Sequence, residues 1–172
     1  VSSPVMYFAT HHLAINSGVM VTGSHNPADY NGLKIIIAGK TLTADDILAI
    51  YHQIVKQDFY YATGNVRSLS ILDNYHHAIQ SQINLKKSLK IVIDCANGVM
   101  GNIAPKLLSA IGCEVVPLFC QVDGTFPNHH PDPSEVKNLQ QLITAVKQTQ
   151  ADLGMAVDGD GDRLGVITNQ GE

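Results

Sequence analysis

The chain has 172 residues, enough for one domain or two small ones, and 45% hydrophobic side chains, with no apolar run near the roughly 18 residues of a membrane span. A formal net charge of −4 with no basic cluster argues against a nucleic-acid surface. Cys95, Cys113 and Cys120 are an odd set without C-x-x-C spacing, so they read as reduced, buried thiols; no basic-then-apolar leader opens the chain, and the cytoplasm is the expected compartment.

Ser3-Pro4 predicts a helix start, with Ser as N-cap and Pro at the first helical position, and the helix runs to about Asn16. Two short apolar runs, Val19–Val21 and Leu33–Ala38, read as strands, with Gly39-Lys40 as the next turn. Thr43 to Asp46 resembles a capping box, and the helix behind it carries Ile47, Ile50, Tyr51, Ile54 and Val55 at helical spacing. A loop over 60–67 and a helix over about 69–83 follow, and the pattern breaks near residue 86, the expected domain boundary.

Beyond it, Lys90–Asp94 reads as a buried strand, 102–111 as a helix ended by Gly112, and Glu114–Phe119 as the next strand. Asp132-Pro133 with Glu135 marks a further helix start, whose stripe is Leu139, Leu142, Ile143 and Val146. Ala151–Val157 and Leu164–Thr168 are the last strands. Helices alternating with short apolar strands make the fold class α/β. Neither end looks like a finished terminus, so a fragment is expected.

Two stretches carry the chemistry. Between the first two strands, Asn26-Pro27 and Asn31-Gly32 give the connecting loop a defined shape and hold Ser24, His25, Asn26 and Lys34 on or beside it. A serine on a rigid loop with His and Lys nearby is a candidate nucleophile. Thr22 and Asn26 stand where the nucleophile elbow G-x-S-x-G needs glycine, which disfavours acyl transfer.

The second stretch is Asp158-Gly-Asp-Gly-Asp-Arg163. Its glycines let three carboxylates converge, and each pair held about 6 Å apart repels by ~3 kcal/mol at an effective dielectric near 20. That repulsion asks for a cation, and hard oxygen ligands select Mg²⁺ or Ca²⁺. An EF-hand fails on position, because Arg163 and Asn169 stand where its Gly and Glu belong. A haloacid-dehalogenase-type aspartyl-phosphate phosphatase remains an alternative, although Asp162 occupies its Thr/Val place. A non-catalytic Mg²⁺/Ca²⁺-binding module is another. Read together, Ser24 as a phosphoryl carrier and the aspartates as a Mg²⁺ site form a phosphoryl-transfer centre, with Arg163 and Lys34 as fixed positive charge.

Other candidates are weaker. Gly98-x-x-Gly101 fits no dinucleotide or P-loop pattern and reads as a packing turn. The adjacent His129-His130 pair points two ways, which disfavours a metal site. His76-His77 is read as surface, and Met20 and Met100 as core.

The chain resembles the α-D-phosphohexomutase family along nearly its whole length. The carriers are Thr22-Gly-Ser-His-Asn-Pro27 with Asp29-Tyr-Asn-Gly-Leu-Lys34, then Gly124-Thr-Phe-Pro-Asn-His-His-Pro-Asp-Pro133, and Asp158-Gly-Asp-Gly-Asp-Arg163. The resemblance, closest to the mannose/glucose enzymes, implies two consecutive three-layer α/β/α-type domains with mixed sheets, 1–86 and 87–172, both truncated. It implies a phosphorylated Ser24, Mg²⁺ held by Ser24, Asp158, Asp160 and Asp162, and phosphate contacts from His25 and Asn26. Lys34 and Arg163 become catalytic, Lys34 in proton transfer. The implied reaction interconverts hexose 1- and 6-phosphates through a hexose 1,6-bisphosphate. Family members have four domains, so domains three and four would be missing partners of this chain, and the chain alone is expected to be inactive.

Overall fold

The computed structural model describes residues 1–172 as two sheets joined by a helix that packs on both. Helix α1 (Ser3–His12) leads into β1 (Gly18–Val21), β2 (Leu33–Ile37) and β3 (Lys40–Thr41), an antiparallel sheet in that order. The β1–β2 register sets Met20 opposite Lys34, which brings Lys34 beside the loop that leaves β1. A two-residue turn, Ala38 (φ 50°) and Gly39 (φ 78°), joins β2 to β3. Positive φ at both central residues is what a tight hairpin needs. The turn is therefore Ala38-Gly39, one residue earlier than the sequence suggests, and Lys40 already belongs to a strand.

Helix α1 differs from expectation at both ends. Its N-cap is Ser2, and it stops at His12, because Ala14 and Asn16 take left-handed φ values of 52° and 54°. Helix α2 (Ala44–Val55) follows the capping box as read, with Asp46 accepting from both the backbone N–H and the hydroxyl of Thr43 at 2.8 Å. None of its residues is buried. Its apolar stripe, Ile47, Tyr51, Ile54 and Val55, faces solvent, as do Val19, Val21 and Leu33 of the small sheet. No other part of this chain covers them. Helix α3 (Leu72–Gln80) begins three residues later than predicted.

The second sheet comprises β4 (Lys90–Asp94), β5 (Glu114–Leu118), β6 (Leu153–Val157) and β7 (Leu164–Thr168) in the order β5-β4-β6-β7. β4 is parallel to β5 and β6, while β7 is antiparallel to β6. Alternate side chains of β4 point to opposite faces, so one strand feeds two cores. Ile93 joins Val5, Cys95, Met100, Ile103 and Val157 on one face; Val92 joins Leu139, Leu142, Val146, Ala156 and Ile167 on the other. Helix α4 (Ala104–Ala110) and α1 serve the first face, and α5 (Gln140–Thr149) the second. This is an α/β/α sandwich of three layers.

Two helices start later than the sequence predicts. Residues 99–102 form a 3₁₀ turn before α4. Asp132 does not cap α5: it accepts the Ser134 N–H and hydroxyl at 3.0 and 2.7 Å, a closed local turn, and the chain turns helical only at the 3₁₀ segment Val136–Leu139. Gly98-x-x-Gly101 is a packing turn as read, since a Cβ on Gly101 would lie 2.0 Å from the Cys120 carbonyl oxygen. Met100 is core, but Met20 is only half-buried and lines a cleft. His77 is exposed as expected, while His76 is half-buried, with its Nε2 enclosed and without a hydrogen bond. No helix is long and apolar enough to cross a membrane.

Candidate active site

The site forms where the loop after β1 meets the loop after β6. In the first, the Thr22 N–H donates to Gly32, Asn26 to Gly23 and Tyr30 to Pro27, at 3.0, 2.8 and 2.9 Å, so the loop folds on itself. At its tip Ser24 takes φ 51°, a left-handed conformation that costs a non-glycine residue ~1 kcal/mol or more. The Ser24 N–H is held there by Thr22 Oγ1 at 2.8 Å. Strain at this residue aims its hydroxyl.

Asp158 organises the second loop. Its Oδ1 accepts the backbone N–H groups of Gly161, Asp162 and Arg163 at 3.0–3.1 Å, wrapping the chain around a buried carboxylate. Its Oδ2 accepts the Ser24 hydroxyl at 2.8 Å and Arg163 Nε at 3.3 Å. Asp160 is also buried and collects donors from three elements: Ser3 Oγ of α1, Thr22 Oγ1 and Lys34 Nζ, each at 2.8 Å on Oδ2. Its Oδ1 lies 3.4 Å from Ser24 Oγ. The Lys34 ammonium reaches Asp162 as well, so its single positive charge is shared between two of the three carboxylates.

Burial pushes the Asp160 carboxyl up, but hydrogen bonds from Lys34, Thr22 and Ser3 outweigh it, and the group stays below the usual carboxylate range. For Lys34 burial acts downward, and the bonds to Asp160 and Asp162 overcome it, so the ammonium is held above its ordinary value. The remaining predicted residues sit around this core. His25 Nδ1 is 3.3 Å from Ser24 Oγ. Arg163 reaches Asp132 through Nη1 at 3.2 Å, and its Nη2 is enclosed without a partner. Asn26 lines the cleft and is exposed, with no hydrogen bond from its side chain. That cleft, about 400 Å³, opens over Ser24 between Met20, Tyr30, Phe126 and Asp160.

The three aspartates each offer an oxygen within 4.8 Å of the others. The all-oxygen donor set suits a hard divalent cation.

Sequence reasoning missed four residues here. Ser3, Thr22 and Asp132 act through hydrogen bonds that no spacing rule announces. The fourth, His129, belongs to the adjacent pair that the sequence disfavours as a metal site, yet its Nε2 meets the buried Asp94 at 3.0 Å. A His on a turn-rich loop facing the carboxylate at a strand's end was the available signal.

A serine loop set against a three-aspartate loop, beside an α/β/α sandwich, defines the class of proteins that the sequence resembles. A family model described as phosphoglucomutase/phosphomannomutase, alpha/beta/alpha domain II, matches residues 73–171, and the domain I model of the same description matches residues 1–61. The chain belongs to the phosphoglucomutase/phosphomannomutase family. It is 54% identical over 171 residues to a phosphomannomutase/phosphoglucomutase of Pseudomonas putida, covering 99% of this chain and 37% of that protein. It is 51% identical to a phosphoglucomutase of Neisseria meningitidis, covering 99% of this chain and 38% of the other. A crystal structure of a phosphoglucomutase/phosphomannomutase family protein from Burkholderia thailandensis superposes with a TM-score of 0.94 at 42% identity, over 100% of this chain and 39% of that one. The chain thus spans well under half the length of these relatives.

Proposed function

We propose that the protein interconverts hexose 1-phosphates and 6-phosphates, of mannose or glucose, with Ser24 as the carrier of the phosphoryl group. The observation that carries this reading is the Ser24 hydroxyl held 2.8 Å from Asp158 within the three-aspartate cluster. In this reading Ser24 lies in a first domain (1–86), the aspartates lie in a second (87–172), and the chemistry occurs between them.

Asp158, Asp160, Asp162 and an oxygen on Ser24 would hold Mg²⁺, which when bound supplies positive charge against the transferred phosphoryl group. The Ser24 Oγ–P bond breaks as a sugar hydroxyl oxygen bonds phosphorus; that hydroxyl gives up a proton and Ser24 Oγ regains one. The resulting hexose 1,6-bisphosphate turns around, and its other phosphate returns to Ser24. Arg163, fixed between Asp158 and Asp132, aims a guanidinium at the phosphoryl oxygens. His25 and Asn26 border the same space. Lys34 serves as fixed charge while its two aspartates hold it protonated, and takes part in proton transfer once drawn away from them.

The phosphatase alternative needs Asp158 as nucleophile. Both of its oxygens are occupied here, one by three N–H groups and one by Ser24 and Arg163. Ser24→Ala separates the two readings: transfer of phosphate from glucose 1,6-bisphosphate to the chain ends if Ser24 is the carrier and persists if Asp158 is. The chain alone, given glucose 1-phosphate, Mg²⁺ and a trace of the bisphosphate, is expected to turn over little or not at all.

A further inference from the structure

Three donors from separate segments converge on one oxygen of Asp160. Ser3 Oγ at the start of α1, Thr22 Oγ1 on the serine loop and the Lys34 ammonium of β2 each lie 2.8 Å from Oδ2. The other oxygen, Oδ1, takes none of them and faces Ser24 Oγ at 3.4 Å. Asp158 shows the same division by other means. Its Oδ1 is filled by three backbone N–H groups, and its Oδ2 faces Ser24 Oγ at 2.8 Å, with Arg163 Nε beside it. In each carboxylate, one oxygen is given to the protein's own donors and the other is turned toward the serine. For Asp158 the aspartate loop fills that oxygen itself; for Asp160 the donors come from outside the loop.

Ser3 is the firmest of those outside donors. It bonds Asp160 twice, with its N–H to the carbonyl oxygen at 2.9 Å and its hydroxyl to Oδ2. Two points fix the main chain of Asp160 and the rotation of its carboxylate together. The mount is rigid. Ser3 is wholly buried, and Val5 in the same helical turn packs with Ile93, Cys95, Met100 and Val157. Met100 in turn backs the aspartate loop, its Cγ 2.3 Å from where a Cβ on Gly161 would stand.

We infer that Ser3 is a positioning residue: together with Thr22 it occupies Asp160 Oδ2, so that Asp160 meets a cation through Oδ1 alone and the site favours Mg²⁺ over a larger ion. The inference rests on the reading of the three aspartates as a cation site. Mg²⁺ demands a near-ideal octahedral shell, which the narrow two-oxygen bite of a carboxylate distorts, whereas Ca²⁺ takes about six to eight oxygens and accepts bidentate carboxylates. Freeing Oδ2 therefore serves the larger ion. Lys34 is a different case, because its charge also opposes any cation at the site. The two hydroxyls are neutral and act through orientation.

Calorimetric titration of the chain with Mg²⁺ alone and with Ca²⁺ alone tests this, on the native sequence, Ser3→Ala and Thr22→Val. Thermal unfolding shows which variants are folded. Removing a hydrogen bond behind a metal ligand weakens binding by about 10- to 100-fold; with two donors left on Oδ2, a rise of ~10-fold in the Mg²⁺ Kd is expected. The Ca²⁺ Kd should rise less, so the preference for Mg²⁺ falls. A serine that only supports the fold would lower Tm and leave the ratio of the two constants where it was. Thr22→Val keeps the side-chain shape, removes a second donor from the same oxygen, and should move the ratio the same way even if Ser3→Ala does not fold. An unchanged ratio in the folded variants overturns this inference alone. Binding of neither ion by the native chain overturns it together with the cation reading of the aspartates.

Discussion

Ser24 and Gly159 touch backbone to backbone: a Cβ placed on Gly159 would stand 2.1 Å from the Ser24 carbonyl oxygen. This contact lets the serine loop sit low enough for its hydroxyl to reach Asp158, 134 residues away in sequence. The glycine between the first two aspartates is thus required by the opposing loop as well as by its own.

Gly159→Ala is expected to push the two loops apart, because the clash is with main chain and no side chain can yield. Overpacking of this kind costs about 1–3 kcal/mol, readable by urea denaturation. Ser24 phosphorylation should be lost in a variant that remains folded, and a variant labelled like the native chain would refute the contact's role.

Lys34 holds two of the carboxylates that a divalent cation would take. Lys34→Met is expected to destabilise the metal-free chain by about 1–2 kcal/mol, less than for a fully buried pair because the side chain is a quarter exposed. The same variant should show a larger Mg²⁺-induced rise in Tm, since the cation now supplies the only charge that offsets Asp160 and Asp162. Equal rises in both chains would show that the lysine and the ion do not share the site.

Asp160 sets an acid limit on stability when no divalent ion is present. Its folded value lies below the unfolded carboxyl value near 3.9. Its contribution is therefore complete above pH ~4 and is lost as pH falls through the lowered folded value. Asp160→Asn is expected to lose stability at pH 7 and to show a shallower decline below pH 4 than the native chain in urea melts.

Much of this site is legible in the sequence because its chemistry is local. Asp158, Asp160 and Asp162 lie within five residues, and Ser24 is framed by its own turn residues. What was hidden depends on pairings between distant segments. Asp94 and His129 are 35 residues apart, and Ser3 meets Asp160 across 157. The order β5-β4-β6-β7 has no local signature either. Asp132 illustrates a local signal with two outcomes: the same side chain that can cap a helix closed a turn with Ser134 and took Arg163. The exposed stripe of α2 shows that periodicity identifies an apolar face without naming what covers it.

Gly101→Ala tests the remaining glycine reading. Its Cβ would lie 2.0 Å from the Cys120 carbonyl oxygen, so a loss of about 1–3 kcal/mol or more is expected in urea melts. If the segment bound an anion instead, stability in phosphate buffer would differ between the two chains in a concentration-dependent way.

The most direct test of the central claim is peptide mapping by mass spectrometry after incubation with glucose 1,6-bisphosphate and Mg²⁺. The account predicts one added phosphoryl group, located on Ser24 and absent from Asp160→Asn. A label on Asp158, with Ser24 unmodified, would contradict it.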